Sequence, residues 1–346
     1  MLGDRLPQSL PPVMPSLKLK DIAQLAGVSV TTAGYVLGGH AKARRIHPDT
    51  AARVLAIARE HDFRPNAQAA ALRSGSSRTV GLIVPDIENP SYARLAKLLE
   101  ASARADRFQL LVGSTDDDPA REQALVATFR NRRCDGLIVA SGMTDDDRIY
   151  RDAIARGLPV VALDRELDPA HFVSFVSEDQ DASRQLTAAL LASRPTSLVY
   201  LGARAELPIS RWRAAGFADS VSTYGGQTSV VHADAFTREE GLRAMQAVLV
   251  RQPAAQAILT TSYMLLTGVL DALALAASDW QSQTRLATFG DAQLLDYLPV
   301  PVDSVAQQHD KLASGVWAAL TRMIAGEAVA PGVRRVKRLL RRRWHA

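Results

Sequence analysis

The chain has little of what several common protein classes require. Cys134 is the only cysteine among 346 residues, which excludes an internal disulfide framework and suits a reducing, cytoplasmic compartment. The first 17 residues contain four prolines and no continuous apolar run, so they resemble neither a signal peptide nor a membrane anchor. We expect residues 1–16 to form a disordered tail. With 47% hydrophobic residues, the rest can fill two or three domains.

The motifs that mark many enzymes are also missing. The sequence contains no Walker loop, no Gly-x-Gly-x-x-Gly after a strand and no Gly-x-Ser-x-Gly elbow. Its seven histidines are scattered, and none pairs with another at metal-ligand spacing. The aspartate runs 116–118 and 145–147 each precede a helical pattern, where carboxylates cap helices more often than they bind metals. We therefore expect no enzyme activity, no metal and no cofactor.

Two short helical patterns meet at a Gly-Val-Ser corner near the start of the chain. Apolar residues fall on one face of each pattern: Leu19, Ile22, Ala23, Ala26, then Ala33, Val36 and Leu37. Gly27 permits a left-handed turn between them, and Ser29 can cap the second helix. An ordinary helical hairpin would share this pattern, but a helix-turn-helix would present the second helix to DNA. The exposed face would then carry Ser29, Val30, Thr31, Thr32 and Tyr35.

The segment that follows supports a DNA-binding head. A basic loop contains Lys42, Arg44 and Arg45, which could neutralise phosphates. A third helix is predicted to start near Pro48, with an apolar inner face made of Ala51, Val54, Leu55 and Ala58. One more short helix would be capped by Asn66 and would end at Leu72 and Arg73.

From Arg78 onward, strand-like and helical patterns alternate. Eight apolar runs of strand length are separated by helical stretches such as 90–105 and 238–250. Alternation of this kind predicts parallel sheets covered by helices on both faces. Ligands of such sheets bind at the carboxyl ends of the strands. The candidates there are 86–91, 114–116, Asp164, Arg165, Asp291 and Gln307, with Arg213 nearby.

Two arginines among these candidates indicate an anionic ligand. A guanidinium group makes paired, charge-assisted hydrogen bonds to phosphate, and Arg165 and Arg213 would suit that role. Asp164 and Asp291 would suit sugar hydroxyls. A local ion pair at the end of a strand is the alternative for Asp164 and Arg165.

Charge is distributed unevenly along the chain. Residues 1–77 contain 10 Lys and Arg against 5 Asp and Glu, while residues 331–346 contain 7 and none. The remaining body holds 24 basic and 31 acidic residues. A basic head on an acidic body is expected if only the head approaches DNA phosphates. The basic tail is interpreted as a solvated end, with added DNA attraction as the alternative.

Two motifs carry a resemblance to a known family. Asp21 to Thr32 matches D-[IV]-A-x-x-A-G-V-S-x-x-T, and Phe63 to Leu72 matches a Y/F-x-P-N-x-x-A-x-x-L hinge. Both resemble the lactose and galactose repressor family, and the similarity is strongest to its branch of fructose repressors, or catabolite repressor-activators. It extends from Leu17 to the last strand.

The resemblance implies a helix-turn-helix head joined to an α/β, periplasmic-binding-protein-like domain of two parallel-sheet lobes. The implied boundaries are 17–62 for the head, 63–77 for the hinge helix and linker, 78–340 for the effector and dimerisation domain, and 341–346 for a basic tail. Lobe one would comprise about 78–178 and 308–340, and lobe two about 179–307.

The resemblance further implies a nucleoid-associated transcription factor of sugar metabolism that binds operator DNA as a homodimer, with tetramers left open. A sugar phosphate, foremost fructose 1-phosphate, would relieve operator binding. Five residues match effector-binding positions of the family: Asp164, Arg165, Arg213, Asp291 and Gln307. Ser91, from the strand ends, is added to them as a sixth effector-binding candidate. A regulator with another sugar or anion, and a sugar-binding transport protein, are the alternatives; the DNA-binding head argues against the second.

Two residues depart from the family pattern in the second helix. Gly34 replaces residues that tolerate a helix better, at a cost of roughly 0.5–1 kcal/mol relative to alanine. Val30 stands where some relatives carry a polar residue, so a base contact could be replaced by packing on a thymine methyl group. Operator preference is expected to differ accordingly.

Overall fold

The computed structural model describes residues 17–63, 76–143, 146–253, 255–276 and 279–344. It consists of two units, residues 1–77 and residues 78–346. The predicted hinge residues Asn66, Leu72 and Arg73 lie outside the described ranges. Within those ranges, no helix is both long enough and apolar enough to cross a membrane.

The first unit is a three-helix head, as the sequence predicts. Helices α1 (Leu19–Leu25), α2 (Val30–Leu37) and α3 (Pro48–Glu60) share one small core. Gly27 adopts a φ of 62° between the first two helices, a conformation that favours glycine. The Ser29 side chain caps α2 by accepting the Thr32 N–H at 3.1 Å. The fully buried members of the core are Ile22, Ala23, Ala26, Ala33, Val36, Val54 and Ala58.

The inner face of α3 differs from the prediction at one position. Leu55 is 37% exposed, whereas Ile57 packs against the core. Successive helical residues are rotated by about 100°, so Leu55 points well away from Val54, while Ile57 and Ala58 stay close to its direction. The helix begins at Pro48, as predicted.

The second unit contains two six-stranded sheets. The first has the order β11-β5-β4-β3-β1-β2 and is parallel throughout. The second has the order β12-β10-β9-β8-β6-β7, and only its edge strand β12 is antiparallel to its neighbour. The strands are β1 Thr79–Val84, β2 Gln109–Ser114, β3 Gly136–Val139, β4 Val160–Leu163, β5 Val173–Ser177, β6 Ser197–Ala203, β7 Gln227–Ala233, β8 Ala257–Thr260, β9 Arg285–Phe289, β10 Val302–Ala306, β11 Gly332–Val336 and β12 Leu339–Arg341.

Helices cover both faces of each sheet. In the first lobe, α4 and α12 pack on one face and α5 and α6 on the other. In the second lobe, α9 and α10 oppose α7 and α8. The helices are α4 Pro90–Ala105, α5 Pro119–Asn131, α6 Arg148–Ala155, α7 Asp179–Leu191, α8 Pro208–Val221, α9 Arg238–Arg251, α10 Tyr263–Leu275, α11 Trp280–Gln283 and α12 His309–Ile324, with a 3₁₀ turn at Gln293–Asp296. The predicted fold class is therefore confirmed.

The chain passes between the lobes three times, after β5, after β10 and after β11. The segments are tied to each other, since Glu178 N–H donates to the Val336 carbonyl at 2.9 Å and Gln308 Nε2 donates to the Lys337 carbonyl at 2.7 Å. The third passage differs from the prediction, which kept the chain in lobe one through residue 340. Leu339–Arg341 instead adds strand β12 to the edge of the second sheet.

The basic tail also differs from the prediction of a solvated end. Arg341, Arg342 and Arg343 all form ion pairs with aspartates of the second lobe. The antiparallel pairing of β12 with β10 carries these residues along the acidic edge of that lobe. Because backbone hydrogen bonds hold β12 at that edge, the arginines find carboxylate partners in the same lobe.

Candidate functional site

The second helix of the head presents a small polar surface. Ser29, Val30 and Thr31 are exposed, and Thr32 and Tyr35 are half-buried. The Arg44 guanidinium lies over the Tyr35 ring at 4.7 Å, so the basic loop and the helix form one surface. Ser29 is partly committed to the helix itself, because its hydroxyl caps α2 and lies 2.8 Å from that of Thr32. A solvent-facing helix beside cationic side chains is the arrangement that a DNA major groove accepts.

A cleft of about 610 Å³ lies between the two lobes of the second unit. It sits at the carboxyl ends of the strands, where parallel sheets bind ligands. Side chains from both lobes line it. All six residues that the sequence selected as effector contacts are among them: Ser91, Asp164, Arg165, Arg213, Asp291 and Gln307.

A row of hydrogen bonds forms one wall of the cleft. Ser91 Oγ donates to Gln307 Oε1 at 2.6 Å and lies 2.9 Å from His309 Nε2. Gln307 Nε2 in turn donates to Asp164 Oδ1 at 2.6 Å, and the Tyr92 hydroxyl donates to Asp164 Oδ2 at 2.8 Å. Three predicted residues are therefore joined directly, and the structure adds Tyr92 and His309 to them.

Asp164 lies in an unusual backbone conformation at the end of β4. Its φ is 66°, and the Arg165 N–H donates to the Leu163 carbonyl at 2.7 Å. Such a γ-turn with a positive central φ is rare and strained. Burial tends to raise the pKa of Asp164. The charges of Arg338 and Arg213 and its two hydrogen bonds outweigh that effect and hold the pKa below its usual value.

Two buried arginines that line the cleft share one carboxylate. Arg213 Nε donates to Asp179 Oδ2 at 3.2 Å, and Arg338 Nε donates to Asp179 Oδ1 at 2.5 Å. Both guanidinium groups stack on the Phe289 ring, at 4.5 and 5.4 Å. Arg213 also donates to the Thr261 carbonyl at 2.7 Å. Arg213 and Arg338 both line the cleft, so two cationic side chains are placed to bind an anion there.

Arg165 pairs with an aspartate of the first lobe. Its guanidinium binds the Asp117 carboxylate and donates to the Ser141 carbonyl at 3.3 Å. Its Nε is buried without a partner among the described residues. Arg165 thus pairs with Asp117, while Arg213 shares Asp179 with Arg338. That Arg165 and Arg213 bind one anion together stays a prediction, and Arg338 is a further arginine that lines the same cleft.

Asp291 follows β9 and lines the cleft, but its carboxylate already has several partners. Ser304 Oγ donates to Oδ1 at 2.7 Å, and Arg343 and Arg341 each lie 2.8 Å from one of its oxygens. The aspartate run 116–118 is used by the protein as well, since Asp118 caps α5 and Asp117 pairs with Arg165. Within the described ranges, no acidic, histidine or cysteine cluster suits a metal ion.

Comparison with known proteins agrees with this architecture. Residues 77–300 match the family of periplasmic binding proteins and sugar binding domains of the LacI family, and residues 18–66 match bacterial regulatory proteins of the lacI family. The chain belongs to the LacI family. It is 43% identical over 302 residues to the fructose operon regulatory protein of Vibrio cholerae, covering 87% of this chain and 92% of that protein.

Two further relatives span most of this regulator. The catabolite repressor/activator of Escherichia coli K12 is 39% identical over 328 residues, covering 94% of this chain and 98% of that protein. The crystal structure of the Cra transcriptional dual regulator from Pseudomonas putida, in complex with fructose 1-phosphate, superposes with a TM-score of 0.75 at 47% identity. It covers 78% of this chain and 99% of that chain. This LacI-family member is thus a DNA-binding transcriptional regulator and not an enzyme.

Sequence reasoning missed four residues that line this regulator's cleft, Tyr92, Asp117, His309 and Arg338, and Asp179, which pairs with two of its arginines. Asp179 and Arg338 lie beside passages between the lobes, and their neighbours in sequence gave no sign of a ligand. Arg338 stands inside a basic run that looked uniformly solvated. The Leu339-Leu340 pair that follows was the available signal, since it marks a strand and hence a return to a sheet.

Proposed function

We propose that the chain represses genes of sugar and central carbon metabolism, and that a sugar phosphate, foremost fructose 1-phosphate, releases it from operator DNA. The observation that carries this proposal is that Arg213 and Arg338, which share the Asp179 carboxylate, line the same cleft as the polar row of Asp164, Gln307 and Ser91. Because Arg213 and Arg338 share a single carboxylate, one positive charge is left to bind a phosphate, and a guanidinium group makes strong hydrogen bonds to phosphate oxygens. The fructose 1-phosphate complex of the Pseudomonas putida relative supports the choice of ligand.

In this proposal, the ligand bridges the two lobes. Arg213 and Arg338 bind the phosphate, and Arg165 Nε supplies a further donor. Asp164, Gln307, Ser91 and Asp291 bind sugar hydroxyls. Because the residues come from both lobes and from the passages between them, the ligand favours the closed form.

On DNA, two heads bind the halves of a pseudo-palindromic operator as a homodimer in the cytoplasm, at the nucleoid. One helix-turn-helix covers only a half-site, and symmetric proteins read symmetric sites. Val30, Thr31, Thr32 and Tyr35 face the bases, while Arg44 and Arg45 contact phosphates. The hinge at 63–77 stays a prediction, with Asn66 capping its helix, Arg73 near the backbone and Leu72 wedged into the minor groove.

Closure and DNA binding oppose each other by the same factor, because coupling between two sites is reciprocal. A hundredfold loss of operator affinity requires about 2.7 kcal/mol of differential binding. One phosphate and several hydroxyl hydrogen bonds can supply that amount.

Calorimetry tests the effector assignment. Fructose 1-phosphate should bind the wild type with measurable heat, more tightly than fructose, and Arg213→Ala should weaken it about a hundredfold because charged hydrogen bonds are lost. Arg184→Ala is the matched control, since Arg184 pairs with Asp219 on the surface of the same lobe. Equal affinity of wild type and Arg213→Ala, or no heat at all, would reject fructose 1-phosphate as the effector.

Operator binding tests the other half of the proposal. Affinity for a palindromic promoter fragment should exceed that for random DNA and fall steeply with salt. Thr31→Ala should weaken promoter binding more than binding to random DNA. Equal affinity for both DNAs at physiological salt would contradict sequence-specific recognition.

A further inference from the structure

Two arginines of the basic tail meet on a carboxylate that lines the cleft. Arg341 Nη1 lies 2.8 Å from Asp291 Oδ2, and Arg343 Nη2 lies 2.8 Å from Asp291 Oδ1. Ser304 Oγ completes the set by donating to Oδ1 at 2.7 Å. Asp291 reaches the cleft from the loop after β9, and its side chain is only 11% exposed. Its carboxylate is thus oriented by three donors.

Several hydrogen bonds besides those to Asp291 hold the tail against the second lobe. Arg343 also donates to Asp296 Oδ1 at 2.8 Å and to the Val302 carbonyl at 3.1 Å. Its backbone N–H donates to the buried Asp303 at 2.6 Å. These bonds continue the pairing of β12 with β10, so the Arg343 side chain has little freedom. A guanidinium fixed in this way loses little conformational entropy when it holds a carboxylate.

The charge of Asp291 would otherwise oppose an anionic ligand. A bare carboxylate in the wall of a cleft repels a phosphate, and partial burial strengthens that repulsion. We propose that Arg341 and Arg343 are positioning residues of the effector site, which orient Asp291 toward the sugar and neutralise its charge so that the cleft accepts a phosphorylated ligand. This inference rests on the proposed function and extends the site to residues outside the cleft.

The test compares the effector affinities of variants at two neighbouring arginines that follow β12, Arg342 and Arg343. Fructose 1-phosphate affinity is measured by calorimetry on the full-length protein for wild type, Arg343→Gln and Arg342→Gln. Arg342 pairs with Asp303 at 3.3 Å and does not contact Asp291, so its variant removes the same charge without freeing Asp291. We expect about a tenfold loss for Arg343→Gln and less than about a twofold change for Arg342→Gln.

A second variant separates charge neutralisation from a general loss of structure. Adding Asp291→Asn to Arg343→Gln removes the carboxylate charge that Arg343 no longer helps to neutralise and keeps an oxygen that accepts from a hydroxyl. Affinity should return to within about threefold of wild type, with melting temperatures recorded for every variant. Where Arg343→Gln lowers the melting temperature, Arg341→Gln repeats the comparison with a more exposed side chain. A purely structural role would not be rescued by a change at Asp291.

The outcomes are distinguishable. Equal losses for Arg343→Gln and Arg342→Gln, or no recovery with Asp291→Asn, would overturn this inference while the effector assignment stands. Absence of binding by the wild type would overturn both.

Discussion

At the scale of single residues, His309 lies at one end of the row of hydrogen bonds that runs through Ser91 and Gln307, and the donor of each bond in that row can be assigned. Because Ser91 Oγ donates to Gln307, the proton between His309 Nε2 and Ser91 Oγ must come from the imidazole. Burial first, and then the positive charge of Arg338, lower the pKa of His309 below its ordinary value of 6.5. The folded protein therefore favours the neutral ring.

This preference predicts a pH dependence of stability. As pH falls below about 6.5, the unfolded chain takes up a proton at His309 before the folded chain does, so the free energy of unfolding decreases. His309→Gln keeps a hydrogen-bond donor toward Ser91 and removes the imidazole that takes up a proton at low pH. Urea unfolding at pH 7.5 and 5.5 should show a smaller decrease for the variant, by as much as about 1 kcal/mol. Identical decreases in both proteins would exclude this role for His309.

At the scale of elements, α2 contains a glycine that no packing requires. A Cβ added at Gly34 would meet only Leu19 Cδ2, at an ordinary 3.7 Å. Gly34→Ala should stabilise the head by roughly 0.5–1 kcal/mol, because alanine loses less conformational entropy in a helix. Amide hydrogen exchange of α2 in the full chain measures this change.

Gly27→Ala is the matched control, since the same substitution falls on a φ of 62° with no atom within 4 Å of the added Cβ. It should destabilise the head by about 1–2 kcal/mol through backbone strain alone. Faster exchange in Gly34→Ala, or unchanged exchange in Gly27→Ala, would contradict the role assigned to each glycine.

Elements whose signals are local were predictable from the sequence. The Gly27 turn, the Ser29 cap, the Pro48 start and the apolar strands all depend on residues adjacent in the chain, and the structure has each of them. The cleft was predictable as a set of strand ends for the same reason. Contacts between distant segments were not: the pairing of Arg338 with Asp179 and of Arg343 with Asp291 depends on where β12 pairs. The Leu339-Leu340 pair indicates a strand, but it does not indicate which sheet that strand joins.

At the scale of the whole effector domain, a small set of polar contacts joins the lobes besides the three passages. Arg204, at the end of β6 in the second lobe, lies 3.7 Å from Asp117 Oδ2 and donates to the Gly142 carbonyl at 3.4 Å in the first lobe. Asp117 binds Arg165 with the same carboxylate. An arginine from each lobe therefore converges on one aspartate beside the cleft, and Arg204 joins the two lobes there.

Loss of that contact should shift the domain toward its open form. Arg204→Gln removes an ion pair of 3.7 Å between two largely buried side chains. A net loss of about 0.5–1 kcal/mol should raise the effector concentration that half-releases the operator about two- to fivefold. Operator affinity without effector should stay the same or increase, because in the proposed mechanism DNA favours the form that the effector disfavours. Fluorescence anisotropy of labelled operator, titrated with fructose 1-phosphate, measures both quantities. Arg184→Gln, whose partner Asp219 lies in the same lobe, should respond as wild type does; a similar shift in both variants would mean that net charge, and not contact between the lobes, sets the response.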